Sequence, residues 1–139
     1  MAHTDIAVIG AGIGGLTLGL ALRRHGIDVQ IYEQAPELTE VGAAVALAAN
    51  GTRILQELGL GDELAAVSAV PTELVYRHWA DARRLVAHPV GAWYEQRFGA
   101  PFWGIHRAHL QRSLVQGWGT RGLHLGKTRH IRMAQDQTD

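Results

Sequence analysis

The 139-residue chain contains no cysteine, which excludes a disulfide framework, a thiolate zinc site and a cysteine nucleophile. It has no excess of either charge, because thirteen basic side chains balance thirteen acidic ones; composition therefore gives no support to a nucleic-acid partner, which asks for a basic patch. Charged residues are sparse at 19% while 47% are hydrophobic, the opposite of the signature of a disordered chain. One long stretch, Ile6 to Leu22, has no charge at all. It falls short of the ~20 apolar residues that span a bilayer, and five glycines interrupt it, at 10, 12, 14, 15 and 19. The leader Met1-Ala2-His3-Thr4-Asp5 has no Lys or Arg, so it lacks the basic n-region of a secretory signal. The expectation is a cytoplasmic chain with no membrane segment, of a length for one domain or a piece of a larger one. No internal repeat and no low-complexity tract is seen.

What is present begins with a βαβ pattern. Asp5–Gly10 is a continuous apolar run of the kind that forms a buried parallel strand. A helix follows the turn at Gly10-Ala11-Gly12 and runs to about His25, apolar on most faces and so expected to be sandwiched. Arg23, Arg24 and His25 suit the negative end of its dipole, and Gly26 fits the residue after its C-cap. Asp28–Glu33 reads as the second strand, closing a unit of about 30 residues. Beyond a loop at Ala35-Pro36-Glu37, the segment Val41–Ala49 is small and apolar. Asn50 is the expected N-cap of a helix carrying Ile54, Leu55 and Leu58 and closed by Gly59. A short helix is expected from Asp62 to before Pro71.

The texture then changes. Glu73–Trp79 and Arg83–His88 read as a hairpin around Asp81-Ala82, and Phe102–Ile105 as a third strand. Arg107 to Gln116 is expected to be a helix with Leu110 and Leu114 four apart. Leu123–Leu125 and Arg129–Ala134 read as strands.

Two signals carry chemistry. In Gly10-x-Gly12-x-x-Gly15, lying between a strand and a helix, Gly10 permits the tight turn, Gly12 lets backbone approach a pyrophosphate, and Gly15 lets helix and strand pack closely. The helix N-terminus offers free N–H groups to the phosphates. Glu33, at the end of the second strand, can accept hydrogen bonds from an adenosine ribose and would repel the 2′-phosphate of NADP. This context makes the glycine pattern specific for a dinucleotide, but it does not separate FAD from NAD. The second signal is Arg107. It opens a helix, where a cation opposes the dipole, and it shares a face with Leu110 and Leu114. A buried anion such as a pyrophosphate would explain it; so would an arginine snorkelling to water or pairing with an acid.

Taken in order, Gly10-Ala-Gly-Ile-Gly-Gly15, Tyr32-Glu33-Gln34-Ala35-Pro36, Val41-Gly42-Ala43, Asn50 with Arg53-Ile54-Leu55 and Leu58-Gly59-Leu60, and His106-Arg107-Ala108-x-Leu110 resemble the FAD-dependent aromatic hydroxylases, single-component flavoprotein monooxygenases of the salicylate and para-hydroxybenzoate hydroxylase type. The resemblance implies an α/β fold: a Rossmann-like βαβ unit with parallel strands, plus the start of a mixed β substrate domain, incomplete relative to the family. It divides the chain into residues 1–71 of an FAD-binding domain, 72–105 of the substrate-domain sheet, and 106–139 returning to the FAD-binding domain. It implies that Gly10, Gly12 and Gly15 hold the FAD pyrophosphate, Glu33 the adenosine ribose, and Arg107 the pyrophosphate–ribityl region. The Gly42–Asn50 loop would run near the isoalloxazine, with Ala44, Val45 and Ala46 on the substrate side.

The implied reaction uses NAD(P)H as transient reductant, FAD, dioxygen and a small aromatic substrate; a homodimer of the intact enzyme is compatible with it. Relatives often carry Gly-Ala-Gly and Gly-Pro-Asn where this chain has Gly42-Ala43-Ala44 and Ala48-Ala49-Asn50, and alanine at 44 is unfavourable if that position needs a positive φ. Two later FAD motifs of the family do not appear, so the chain reads as the N-terminal part of a hydroxylase. The alternatives are a nicotinamide dehydrogenase, which predicts continuing strand–helix units after Glu33, and a nucleotide-binding piece without catalysis.

Other candidates are weaker. His106 and His109 lack a third ligand at metal spacing, so capping or surface roles are expected and no metal. Arg77 and Trp79 would share a strand face, with sheet packing favoured over a ring-binding pocket. For Trp93, Trp103 and Trp118, core or interface is the default.

Overall fold

The computed structural model describes residues 6–38 and 42–128. Its elements are β1 (Ile6–Ile9), α1 (Ile13–Arg24), β2 (Val29–Tyr32), β3 (Ala44–Leu47), α2 (Ala49–Glu57), α3 (Gly61–Val67), β4 (Glu73–Arg77), β5 (Arg84–Pro89), α4 (Ala92–Phe98), β6 (Trp103–His106), α5 (Arg107–Trp118) and β7 (Leu123–His124). The expected strand Arg129–Ala134 lies outside the described residues.

β1, β2 and β7 form a parallel sheet in the order β1-β2-β7, with Ile6 opposite Val29 and Ile31 opposite Leu123. Alternation sends Val8, Val29 and Ile31 into the core. α1 and α5 lie on that same side, because Gly19 of α1 closes on both Ile31 of the sheet and Trp118 of α5: a Cβ there would stand 2.8 Å from each. Arg23 adds a cation–π contact, its guanidinium carbon 3.2 Å from the centre of the Trp118 ring, and donates to the Trp118 carbonyl at 3.0 Å. α1 is not sandwiched as its sequence suggests. One side packs, while Leu18 remains 49% exposed.

The middle of the chain departs from a simple strand–helix alternation. β3 pairs antiparallel with β6, Ala44 opposite His106 and Leu47 opposite Trp103. The segment read as a loop is therefore partly a strand, and the expected third strand joins it instead of the β4–β5 hairpin. That hairpin forms with Glu73 opposite Pro89. α2 begins two residues earlier than expected, with Ala48 and not Asn50 as its N-cap. α4 had no counterpart in the sequence reading; Gly99, at φ +73, ends it in the left-handed conformation that favours glycine. The core joins the parallel sheet to the β3–β6 pair: Leu16, Ile31, Leu64, Ile105, Leu110 and Leu114 are all essentially inaccessible. No helix among the described residues is long and apolar enough to cross a membrane.

Candidate functional site

The glycine turn is tied down from below and open above. Gly10 has φ +101, a conformation that strains any side-chain-bearing residue. Its N–H donates to the Tyr32 carbonyl at 2.7 Å. The next N–H, of Ala11, donates to Glu33 Oε2 at 2.8 Å, and the Ala35 N–H donates to Oε1 at 2.9 Å. These bonds to Ala35 and Ala11, helped by the Gln34 N–H, hold the Glu33 carboxyl below its ordinary value against the opposing effect of partial burial. Glu33 thus fixes the turn as an anion, and a carboxylate with about four lone-pair sites keeps acceptor capacity beyond these donors.

The three motif glycines separate by environment. A Cβ on Gly15 would collide with the Gly10 carbonyl oxygen, so close packing of α1 on β1 requires glycine there. A Cβ on Gly12 or Gly14 would meet nothing within 4 Å. Gly12 also has ordinary extended backbone, φ −71 and ψ −179, so neither packing nor conformation within the protein demands glycine at 12. No side chain caps α1 and no acid lies in its first turn. Its first i→i−4 bond runs from Leu16 N to the Gly12 carbonyl at 3.0 Å, leaving the preceding N–H groups directed out of the helix end. Open space over a glycine, beside an uncapped positive helix terminus, is a cradle that a side chain would fill and that fits a diphosphate. A depression of about 260 Å³ adjoins it, lined by Ile9, Gly10, Tyr32, Glu33, Gln34, Lys127 and Thr128. A larger cavity of about 500 Å³, bordered by Gln56, Asp62, Glu95 and Trp103, touches neither the turn nor Arg107.

Arg107 reaches this end of the molecule through topology. The C-terminal halves of α1 and α5 pack together, Leu20 against Gly117 and Gly19 and Arg23 against Trp118. α1 follows β1 and α5 precedes β7 in one parallel sheet. Both helices therefore run against the strands, and both N-termini lie toward the carboxyl ends of the strands, where α/β sheets bind ligands. Arg107 is half-buried and Leu110 and Leu114 are buried, as the shared face requires. Its N–H donates to the Ala43 carbonyl at 3.2 Å, and its side chain lies along Gly42, where a Cβ would approach Cδ to 3.1 Å.

On β3, Ala44 and Ala46 share an exposed face while Val45 and Leu47 pack against the core. Ala44 needs no left-handed backbone; among the described non-glycine residues only Ala82 has positive φ. His106 caps α5, its Nδ1 accepting from the Ala108 N–H at 3.3 Å. No metal-capable group of three or more His, Cys, Asp or Glu occurs among the described residues. Trp79 lies beyond the end of β4 and is 93% exposed, so it does not pack on the sheet; Trp103 and Trp118 are core, and Trp93 is exposed. Sequence reasoning placed Gly42 in the flavin-side loop without its contact with Arg107, and missed Lys127 and Thr128. That contact could have been found only from the pairing of β3 with β6, which brings the residues before β3 to the start of α5, and the others only from the pairing of β7 with β2.

Residues 3–138 match a family profile described as an FAD binding domain. The chain belongs to this FAD-binding family. Within it, the chain is similar to 3-amino-4-hydroxybenzoate 2-monooxygenase of Streptomyces cremeus, 42% identical over 122 residues that take in 88% of this chain and 31% of that protein. It is also similar to 3-hydroxybenzoate 6-hydroxylase of Polaromonas naphthalenivorans (strain CJ2), 36% identical over 138 residues, 98% of this chain and 34% of that protein. Among solved structures, Klebsiella pneumoniae HpxO complexed with FAD and uric acid superposes with a TM-score of 0.78 at 32% identity, covering 98% of this chain and 34% of that one. The chain spans about a third of the length of these relatives. The resemblance to flavoprotein hydroxylases is borne out. The dehydrogenase alternative is not supported, since antiparallel β3–β6 and β4–β5 pairs follow β2 where it predicts further strand–helix units.

Proposed function

We propose that the chain is the FAD-binding portion of a flavin-dependent monooxygenase that hydroxylates a small aromatic ring using NAD(P)H and dioxygen. The names of the relatives support the reaction class, and the glycine turn supports the cofactor: position 12 is glycine although nothing in the protein approaches it. In this reading the N–H groups opening α1 and the backbone at Gly10 and Gly12 receive the pyrophosphate, with Gly15 bringing α1 close enough to β1 to aim them. Glu33 holds the turn and accepts from the adenosine ribose with its remaining lone pairs. Arg107 supplies the cation that balances the diphosphate, through charge-assisted hydrogen bonds. Ala44 and Ala46 present a low, apolar strand face on the flavin side. Residues 1–71 and 106–139 serve the cofactor, and 72–105 begin the substrate side. Bound FAD supplies the redox chemistry that no side chain can; the protein orients it and excludes water.

The test is titration of the purified chain with FAD, followed by flavin fluorescence. Binding by the wild type, abolished in Gly12→Val and weakened at least about tenfold in Arg107→Ala through loss of a charge-assisted bond, is the expected result. Full affinity in Gly12→Val would remove the pyrophosphate assignment.

A further inference from the structure

The junction of β6 and α5 has no loop: His106 ends the strand and Arg107 begins the helix. His106 meets two requirements at once there. Its Nδ1 accepts the Ala108 N–H at 3.3 Å, which satisfies one of the unpaired donors of the helix start. An Nδ1 that accepts carries no hydrogen, so the ring's N–H is on Nε2. The cap thereby selects a tautomer and leaves a neutral donor on the outer side of the ring. Among the described residues nothing takes this donor: the other contact of the ring is with His109, its centroid 5.8 Å away, and the side chain is exposed.

The placement of that donor is set by register. His106 is the cross-strand partner of Ala44, and cross-strand partners project to one face. Ala44 and Ala46 occupy the exposed face, with Val45 and Leu47 on the core side. His106 is also bonded in sequence to Arg107, whose N–H binds the Ala43 carbonyl. The imidazole therefore stands beside the side-chain-poor face of β3 and next to the arginine assigned to the diphosphate.

We infer that His106 is a cofactor-positioning residue: Nδ1 caps α5 and holds Arg107 in place, while Nε2–H donates to an oxygen of the pyrophosphate–ribityl portion of the dinucleotide. This inference rests on the FAD-binding reading above. A neutral donor suits the place, because an imidazolium at a helix N-terminus would oppose the dipole and give up the cap.

The experiment separates cap from donor. His106→Ser keeps a short side-chain acceptor for the cap but cannot reach outward. His106→Asn keeps an acceptor too, but its amide ends at the δ position, short of Nε2. Both are good N-caps, so their thermal midpoints without FAD should stay within about 3 °C of wild type. FAD titration should show about a tenfold loss of affinity in both variants and recovery to within about threefold of wild type in His106→Gln, whose amide N–H₂ reaches the ε position, the difference one hydrogen bond to a charged group makes. His106→Thr supplies the same measurement if the serine variant does not fold. Wild-type affinity in the serine, threonine or asparagine variant, or equal loss in serine and glutamine variants of unchanged thermal midpoint, overturns the donor role while leaving FAD binding intact. Failure of the wild type itself to bind FAD overturns the FAD-binding reading and this inference with it.

Discussion

Glu33 and Ala11, twenty-two residues apart, are joined by a 2.8 Å hydrogen bond from backbone N–H to carboxylate that ties the end of β2 to the turn after β1. The contact gives stability a pH dependence of definite sign. The Glu33 pKa is lowered on folding by backbone donors, those of Ala35 and Ala11 foremost. Its stabilisation is therefore complete above the unfolded-state pKa, near 4.5, and is lost as pH falls through the lower folded-state value. Glu33→Gln removes the ionisation. Chemical denaturation at pH 7, 5 and 3 should show wild type exceeding the variant most at pH 7, with the gap closing only at the most acidic point. A gap independent of pH would mean that the carboxylate does not hold the turn as an anion.

The motif glycines should separate in two assays, folding and binding. Gly15→Ala drives a methyl into the Gly10 carbonyl oxygen, a backbone collision that cannot relax by a rotamer change, and should cost more than about 3 kcal/mol or abolish folding. Gly14→Ala meets open space in a helix and should be neutral or stabilise by up to about 1 kcal/mol. Gly12→Ala should leave the denaturation midpoint unchanged and weaken FAD binding. Equal stability loss at 12 and 15 would show that both glycines serve packing alone.

This division marks what the sequence made legible. Strand, turn, helix and terminal acid in residues 6–33 are local, and each was placed within a residue or two because hydrophobic run, glycine and charge agree there. The half-buried position of Arg107 was legible from its spacing to Leu110 and Leu114. The partnership of β3 with β6 was not: Ala44–Leu47 is four apolar residues with no polar–apolar alternation to read, and it becomes a strand only because β6, fifty-odd positions later, supplies its hydrogen bonds. α4 was hidden for a different reason. Ala92–Phe98 buries no residue fully, so no apolar stripe marks it, and Gly99 was its one local signal.

Gly42 offers a test of Arg107 that leaves the arginine itself intact. A methyl at 42 would come within 3.1 Å of Arg107 Cδ and 3.2 Å of Cβ, tight enough to move a flexible side chain without breaking the core. Gly42→Ala should therefore change stability by less than about 1 kcal/mol and weaken FAD binding severalfold, in the same direction as Arg107→Ala. Combined with Arg107→Ala, the Gly42 substitution should add little, because both act through one side chain. Additive losses in that double-mutant cycle would show that Gly42 acts independently of the arginine.

Tyr94 joins the segment between the hairpin and β6 to the helix that follows β3. Its hydroxyl accepts the Ala49 N–H at 3.1 Å, at a helix start whose N-cap, Ala48, has no side-chain acceptor. Ala49 is 4% exposed, so water cannot readily replace the phenol. Tyr94 also packs against Phe98 and Phe102, with ring centroids 4.6 and 5.8 Å away. Tyr94→Phe keeps these ring contacts and removes only the acceptor, leaving a buried N–H without a partner. The expected cost is about 1–2 kcal/mol, read as a lower denaturant midpoint at unchanged slope, while Tyr94→Ala, which also loses the rings, should cost more. If Tyr94→Phe is as stable as wild type, the hydroxyl does not cap α2 and the segment is held by its aromatic contacts alone.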